Sequence, residues 1–310
     1  MNQQVENLFI NQLQVWETAK NNFAALSNVQ VKSLKVGDTI YKVQFNPARI
    51  VSSGAKVDAK TIKERKCFLC PANLPEVQKG ILFKEHYNIL VNPFPIFPRH
   101  LTIPDINHVN QRIENRLGDM FDLAEALTDY TIFYNGPKCG ASAPDHAHFQ
   151  AGNRGFMPIE SQWREKVAGE VVRLGDAVLF CLNDAPRTTL VMESASKEDA
   201  EKLFKVIYKN MPLKPEEDEP MMNLLAMYEG EKWILFIFPR EKHRPACYTA
   251  EGEDNLLSSP ASVDLGGVFI TPLEKDFNKL NAEILSQILS EVCLSEKDFE
   301  QLRERIKASL

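Results

Sequence analysis

The residues best suited to chemistry lie in one short segment, His146-x-His148-x-Gln150. On a β-strand, alternation would put all three side chains on one face. Two imidazoles and an amide on one surface suit phosphoryl or nucleotidyl transfer. A neutral imidazole can attack phosphorus, and the amide can hydrogen-bond a phosphate oxygen as charge shifts. Three polar residues on a solvated strand face would give the same spacing, so the triplet alone leaves both readings open. Just upstream, Asn135-Gly136 and Gly140-Ala141-Ser142 form a small-residue loop. Such a loop lets backbone N–H groups approach phosphate oxygens, and Lys138 adds positive charge. For any one glycine, a plain turn between strands is the alternative.

Cys67-x-x-Cys70 offers two thiolates of a tetrahedral site that two histidines would complete. Four protein ligands leave no position for water, so a zinc ion there would be structural. A redox pair is the competing reading, but no thioredoxin-like βαβ context surrounds these cysteines. The chain has six histidines: His86, His100, His108, His146 and His148 fall in one stretch, and His243 stands apart.

These residues must be positioned by an ordinary globular chain. It has 310 residues, 44% hydrophobic and 25% charged, with formal net charge −6. The length suggests two domains of roughly 150 residues. The acidic balance argues against an extended nucleic-acid surface while allowing a local nucleotide pocket. Six cysteines are too few for a disulfide scaffold. The longest apolar run, Trp233 to Phe238, is far short of the ~20 residues a membrane span needs, and MNQQVENLF has no basic n-region. A cytoplasmic protein without a membrane partner is expected.

Val5, Leu8, Phe9, Leu13, Trp16, Ala19, Phe23 and Leu26 recur at helical spacing. Strands are expected over Thr39–Phe45, Ala48–Ser52, Tyr87–Val91 and His100–Ile103. A helix carrying Ile113 to Leu127 and a strand Tyr130–Tyr134 follow. The second half partly repeats this order: strands over Arg173–Asn183 and Thr188–Met192, then a helix opened by Ser196-x-x-Asp199. Two strands, Met222–Tyr228 and Lys232–Phe238, are joined by a Glu-Gly turn. They end at PREKHRP, and two helices close the chain, the first spanning Phe277 to Val292. The expected fold class is α+β, an antiparallel sheet with flanking helices present in two copies, 1–165 catalytic and 166–310 degenerate.

CFLCPANLP, PRHLTIPDINH and NGPKCGASAPDHAHFQA together resemble the histidine-triad superfamily in its transferase branch. That branch holds galactose-1-phosphate uridylyltransferases, diadenosine tetraphosphate phosphorylases and GDP-hexose phosphorylases. The resemblance covers most of residues 40–160 and continues more faintly through NLLAMYEGEKWILFIFPREKHRP and SPASVDLGGVFITP. It implies that His148 is the nucleophile and forms a covalent nucleotidyl-histidine. It also implies that Gln150 supports the transferred phosphoryl group, favouring transfer or phosphorolysis over hydrolysis. His146 becomes a zinc ligand with Cys67, Cys70 and His108. Asn135, Gly140 and Ser142, with Lys138, match loop positions near the phosphates, and Arg49 and Lys56 a nucleotide-contacting segment. Asp145 departs from the pattern, where an uncharged residue is expected, and His86, His100 and His243 receive no role. Relatives allow a homodimer.

The expected activity is a nucleotidyltransferase or phosphorylase acting on a nucleotide-sugar or dinucleoside polyphosphate by double displacement, with phosphate or a sugar 1-phosphate as acceptor. A histidine-triad hydrolase and a non-catalytic zinc-stabilised nucleotide-binding protein are the alternatives.

Overall fold

The computed structural model describes residues 1–50 and 57–310; Lys56 lies outside the described residues. A three-stranded sheet joins β1 (Gln30–Val36) and β2 (Thr39–Phe45) to β13 (Val268–Thr271) from the far end of the chain. The larger sheet holds β3 (Gly80–Phe83), β4 (Tyr87–Val91), β5 (His100–Pro104), β6 (Tyr130–Asn135) and β7 (His148–Asn153) from the first half. From the second half come β8 (Val167–Leu174), β9 (Ala177–Leu182), β10 (Leu190–Ser194), β11 (Met222–Glu229) and β12 (Lys232–Pro239).

The strand order is β3-β4-β5-β7-β6-β11-β12-β10-β9-β8. From either end the pattern is the same: three consecutive strands, a helix, then two strands in swapped order. The intervening helices are Leu117–Ala126 and Lys197–Asn210. The duplication expected from sequence is therefore present as one continuous antiparallel sheet. Its halves join at β6 and β11, where Asn135 lies opposite Asn223 and Phe133 opposite Leu225.

The central strands are apolar throughout because both their faces are buried. Ile132 and Tyr134 of β6 enter one core with Leu224, Leu235 and Ile237, beneath the helices. Phe133 points the other way, into a core with Leu225, Phe236 and Phe269. Period-two alternation thus feeds two cores, which is why Trp233 to Phe238 reads as an unbroken apolar run. The β11–β12 turn has φ 56° at Gly230 and 60° at Glu231, positive at both central residues as a tight hairpin with right-handed twist prefers.

Several expectations are corrected. The first helix is interrupted: Asn2–Val15 and Glu17–Ala25 are separated by Trp16, which is extended at φ −110°, ψ 96°. Residues 47–49 form a single 3-10 turn started by Pro47, not the beginning of a strand, and 51–52 lie outside the described residues. The helix expected from Ile113 starts at Leu117, since side-chain bonds described below engage Gln111 and the Ile113 N–H. Residues 173–183 are not one strand but parts of the β8–β9 hairpin, which turns at Gly175 with φ 55°. The penultimate helix is split into Glu274–Lys279 and Ala282–Val292, because Asn281 caps a new start by accepting from the Ile284 N–H. Finally, β7 begins at His148, so His146 precedes the strand.

Candidate functional site

The start of β7 separates two environments. Before it, His146 turns toward the cysteine loop. Within it, His148 and Gln150 line a cavity of about 680 Å³. The three side chains expected on one face are therefore divided between a metal-type cluster and a pocket.

In the cluster, Cys67 Sγ lies 3.3 Å from His146 Nδ1, and Cys70 Sγ lies 3.6 Å from the same nitrogen and 3.2 Å from His108 Nδ1. All four ligand atoms fall within 4.8 Å of one another. Zn–S bonds of about 2.3 Å and Zn–N bonds of about 2.0–2.1 Å give tetrahedral edges of about 3.3–3.8 Å, so the donor set and its spacing fit such an ion. The surrounding bonds suit ligation as well. His146 Nε2–H donates to the Asp105 carbonyl at 2.7 Å, leaving Nδ1 unprotonated toward the thiols. Asp145 Oδ2 is 3.8 Å from His108 Nε2, and Oδ1 pairs with Arg65 at 2.5 Å. The unexpected carboxylate thus sits behind an imidazole with its charge balanced. Asn73 Nδ2 closes the cysteine turn by donating to the Cys67 carbonyl at 2.8 Å.

In the cavity, His148 Nδ1–H donates to the His146 carbonyl at 2.8 Å. That fixes the tautomer and leaves the lone pair on Nε2. Burial holds the His148 imidazole neutral, its pKa pushed down to about 4. Asn135, Gly140 and Ser142 line the same space, as does Arg49, which donates to the Phe94 carbonyl at 2.6 Å. Gly140 has φ 91°, and a Cβ there would lie 2.6 Å from the Ala261 Cβ, so no larger residue fits. Lys138 is not in the cavity wall; it pairs with Glu217 at 3.2 Å on the surface. Trp16, Phe68, Leu74, Pro75 and Phe94 give the cavity an apolar side.

Three crystal structures of the yeast Ap4A phosphorylase Apa2 are similar to this chain in fold: one of Apa2 (TM-score 0.57, 16% identity), one in complex with AMP (0.55, 17%) and one in complex with Ap4A (0.56, 18%). Each match covers 91% of this chain and 97% of the other. The chain has the histidine-triad-like fold of these structures. Residues 8–153 match a family described as a domain of unknown function (DUF4922), and residues 158–310 match one described as GDPGP1-like, C-terminal domain. No curated protein sequence gives a match.

On this histidine-triad framework, four buried residues that sequence reasoning left without a role, His100, Ser262, Asn223 and Gln111, orient the two amides and His148. His100 is fully buried on β5. Its Nδ1 accepts the Ile96 backbone N–H at 3.1 Å, so its Nε2 carries the proton and donates to Gln150 Oε1 at 3.1 Å. Burial, with the nearby Arg49 charge, pushes His100 down to about 3 and keeps it in that neutral form. With Oε1 occupied, Gln150 presents its NH2 group to the cavity.

Asn135 is oriented from the second half of the chain. Its Oδ1 accepts from the Ser262 backbone N–H at 2.9 Å, from the Ser262 hydroxyl at 2.6 Å and from Asn223 Nδ2 at 2.8 Å. A backbone N–H can only donate, so the oxygen end of the amide is identified and the NH2 end faces the pocket.

Gln111 bridges the point where β6 and β7 diverge. Its Oε1 accepts the His148 N–H at 2.8 Å, and its Nε2 donates to the carbonyls of Asn135 and His148 at 3.0 Å each. These bonds replace missing ladder pairs beside His148. They also hold the segment before the helix, together with the Ile113 N–H donating to Glu219 Oε2 at 2.6 Å. The histidine in PRHLT was visible in the sequence as a polar residue in an apolar strand; nothing comparable marked Gln111.

Proposed function

We propose that this histidine-triad chain is a nucleotidyltransferase or phosphorylase that works by double displacement through nucleotidyl-His148. The observation that supports it best is one cavity containing a tautomer-fixed His148 and two amides, Gln150 and Asn135, whose oxygens are already taken. Fixed NH2 donors aimed where phosphoryl charge develops stabilise a transition state without reorganising. His148 Nε2 attacks the α-phosphorus of a nucleoside diphosphate derivative. The N–P bond forms, the bridging P–O bond breaks, and its electron pair leaves on a phosphate oxygen. An acceptor phosphate oxygen then attacks the same phosphorus and returns the lone pair to Nε2.

Gln150 supports transfer over hydrolysis for a chemical reason. An amide cannot donate a proton to a poor leaving group or take one from water. Phosphate groups ionise near neutrality and need neither service, both as leaving group and as acceptor. The apolar side of the cavity, with Trp16 and Phe68, suits a nucleobase, and the Ap4A and AMP found in the Apa2 crystals support nucleotide substrates of this class. The proposed division is 1–165, the catalytic half with His146-x-His148-x-Gln150 and the cysteine–histidine cluster, and 166–310 as the degenerate copy. The proposed metal is zinc on Cys67, Cys70, His108 and His146. When bound, it supplies a structural cross-link that holds the His146 carbonyl accepting the His148 Nδ1–H.

The test is a panel of UDP-, GDP- and ADP-sugars and dinucleoside polyphosphates, with and without phosphate, followed by intact mass for a nucleotidyl adduct. An adduct is expected on the wild type and none on His148→Gly, with phosphate-dependent release of a nucleoside diphosphate. Full turnover by His148→Gly overturns the assignment, and phosphate-independent release of nucleoside monophosphate assigns a hydrolase.

A further inference from the structure

Four neighbouring strands bring polar residues to one edge of the large sheet: His148 starts β7, Asn135 ends β6, Asn223 lies near the start of β11 and Arg240 follows β12. Three strand spacings of about 4.8 Å make this row about 14 Å long, and the half carrying β12 ends in a cationic loop. Arg240 is 2% exposed. Its guanidinium donates to the carbonyls of Pro260 at 2.9 Å, Val292 and Lys242 at 3.0 Å and His243 at 3.2 Å, and to the Asn223 side chain. These hydrogen-bond partners are neutral, so they pin the loop, and the Arg240 charge also acts on the Asp264 carboxyl.

His243 and Arg244, which the pinned loop presents, line the same cavity as His148. Arg244 Nε donates to Ser259 Oγ at 3.2 Å, and its guanidinium lies 4.0 Å from the Tyr248 ring centre. Burial and the charges of Arg244, Arg240 and Lys138 push His243 down to about 4. Among the described residues the cavity wall has one carboxylate, Asp264, whose oxygens accept the Ala261 and Ile270 N–H groups at 2.9 Å each. A partly desolvated cationic corner of this kind is relieved by an anion.

We propose that His243 and Arg244 form a phosphate subsite at the end of the cavity away from His148, taking the dianionic phosphate of the leaving group and of the acceptor. The inference rests on the double-displacement reading. In-line attack by His148 requires the bridging oxygen to depart on the opposite side of phosphorus. The acceptor retraces that line, so one subsite serves both. Either inorganic phosphate or a phosphomonoester such as a sugar 1-phosphate carries the required group.

Equilibrium binding of orthophosphate, and separately of a hexose 1-phosphate, to the free enzyme tests it without turnover. In the His243→Ala, Arg244→Gln double variant, affinity for at least one of them should fall at least tenfold. Arg244→Lys should lose less, and His148→Gly should bind as the wild type does. Phosphate should also raise the His243 titration midpoint seen by NMR. The ligand bound more tightly identifies the source of the phosphate group. Equal affinity in wild type and double variant overturns the subsite. Turnover by His148→Gly overturns the double-displacement reading instead, so the two failures are distinguishable.

Discussion

At the scale of single residues, the site depends on which end of each polar group is already committed. Gln150 is a useful donor because His100 occupies its oxygen. Removing a transition-state donor outright costs about 10²–10³-fold in kcat, and that is expected for Gln150→Ala. His100→Phe keeps the volume but releases the amide, so it should lose a smaller part of the same factor in kcat with the donor KM unchanged. An unchanged kcat would show that Gln150 holds its orientation without His100. The cysteine cluster gives a second prediction. Metal analysis should find about one zinc per chain, the content of one tetrahedral site, and none in the Cys67→Ser, Cys70→Ser double variant. Retained zinc in that variant would show that the ligands are elsewhere.

At the scale of elements, side chains do work that the strand ladder leaves undone. Gln111 closes the gap between β6 and β7, and Glu219 closes the one beside it. Glu219 accepts the Tyr134 hydroxyl at 2.5 Å and the Ile113 N–H at 2.6 Å while being only 4% exposed. Burial pushes its carboxyl up to about 7. Folded protein therefore keeps this proton over a pH range in which the unfolded chain, with the ordinary value of 4.5, releases it. The sign is that stability from Glu219 is fully present below pH 4.5 and is lost as pH rises to about 7, by at most about 3 kcal/mol. Urea midpoints of wild type relative to Glu219→Gln should fall over that window; parallel profiles would place the carboxyl at its ordinary value. The element order itself was largely legible. Strands β4, β5, β6, β11 and β12 follow from apolar runs bounded by proline and turn residues, and the Ser196 cap from its Asp199 partner. The break at Trp16 was not legible, because the helical period continues through it; the residue lines the cavity wall.

At the scale of the whole molecule, the two copies are not independent. The β6–β11 ladder joins them, β13 pairs with β2, and Ser262 and Asn223 hold Asn135. Residues 1–165 expressed alone would expose the apolar edge of β6, which favours strand-to-strand association. Size-exclusion chromatography should show self-association or aggregation of that fragment, whereas a monomer with native-like near-UV dichroism would show that the first copy folds unaided. The second half thus contributes the orienting groups for Asn135 and the loop that brings His243 and Arg244 to the cavity.

The sequence by itself marked the residue types proposed to meet phosphate chemistry. His148, Gln150, the Gly140 loop and the CxxC are local patterns whose spacing can be read along the chain, and the repeated strand–helix order foretold the double sheet. Only the tertiary structure decided the division of His146 from His148, the amide orientations set by His100 and Ser262, and the arrival of the second copy's His243 and Arg244 at the first copy's pocket. Those depend on contacts between residues as much as 127 positions apart. Periodicity reports which face of an element is buried, whereas the partner that completes a hydrogen bond across the fold is chosen by packing.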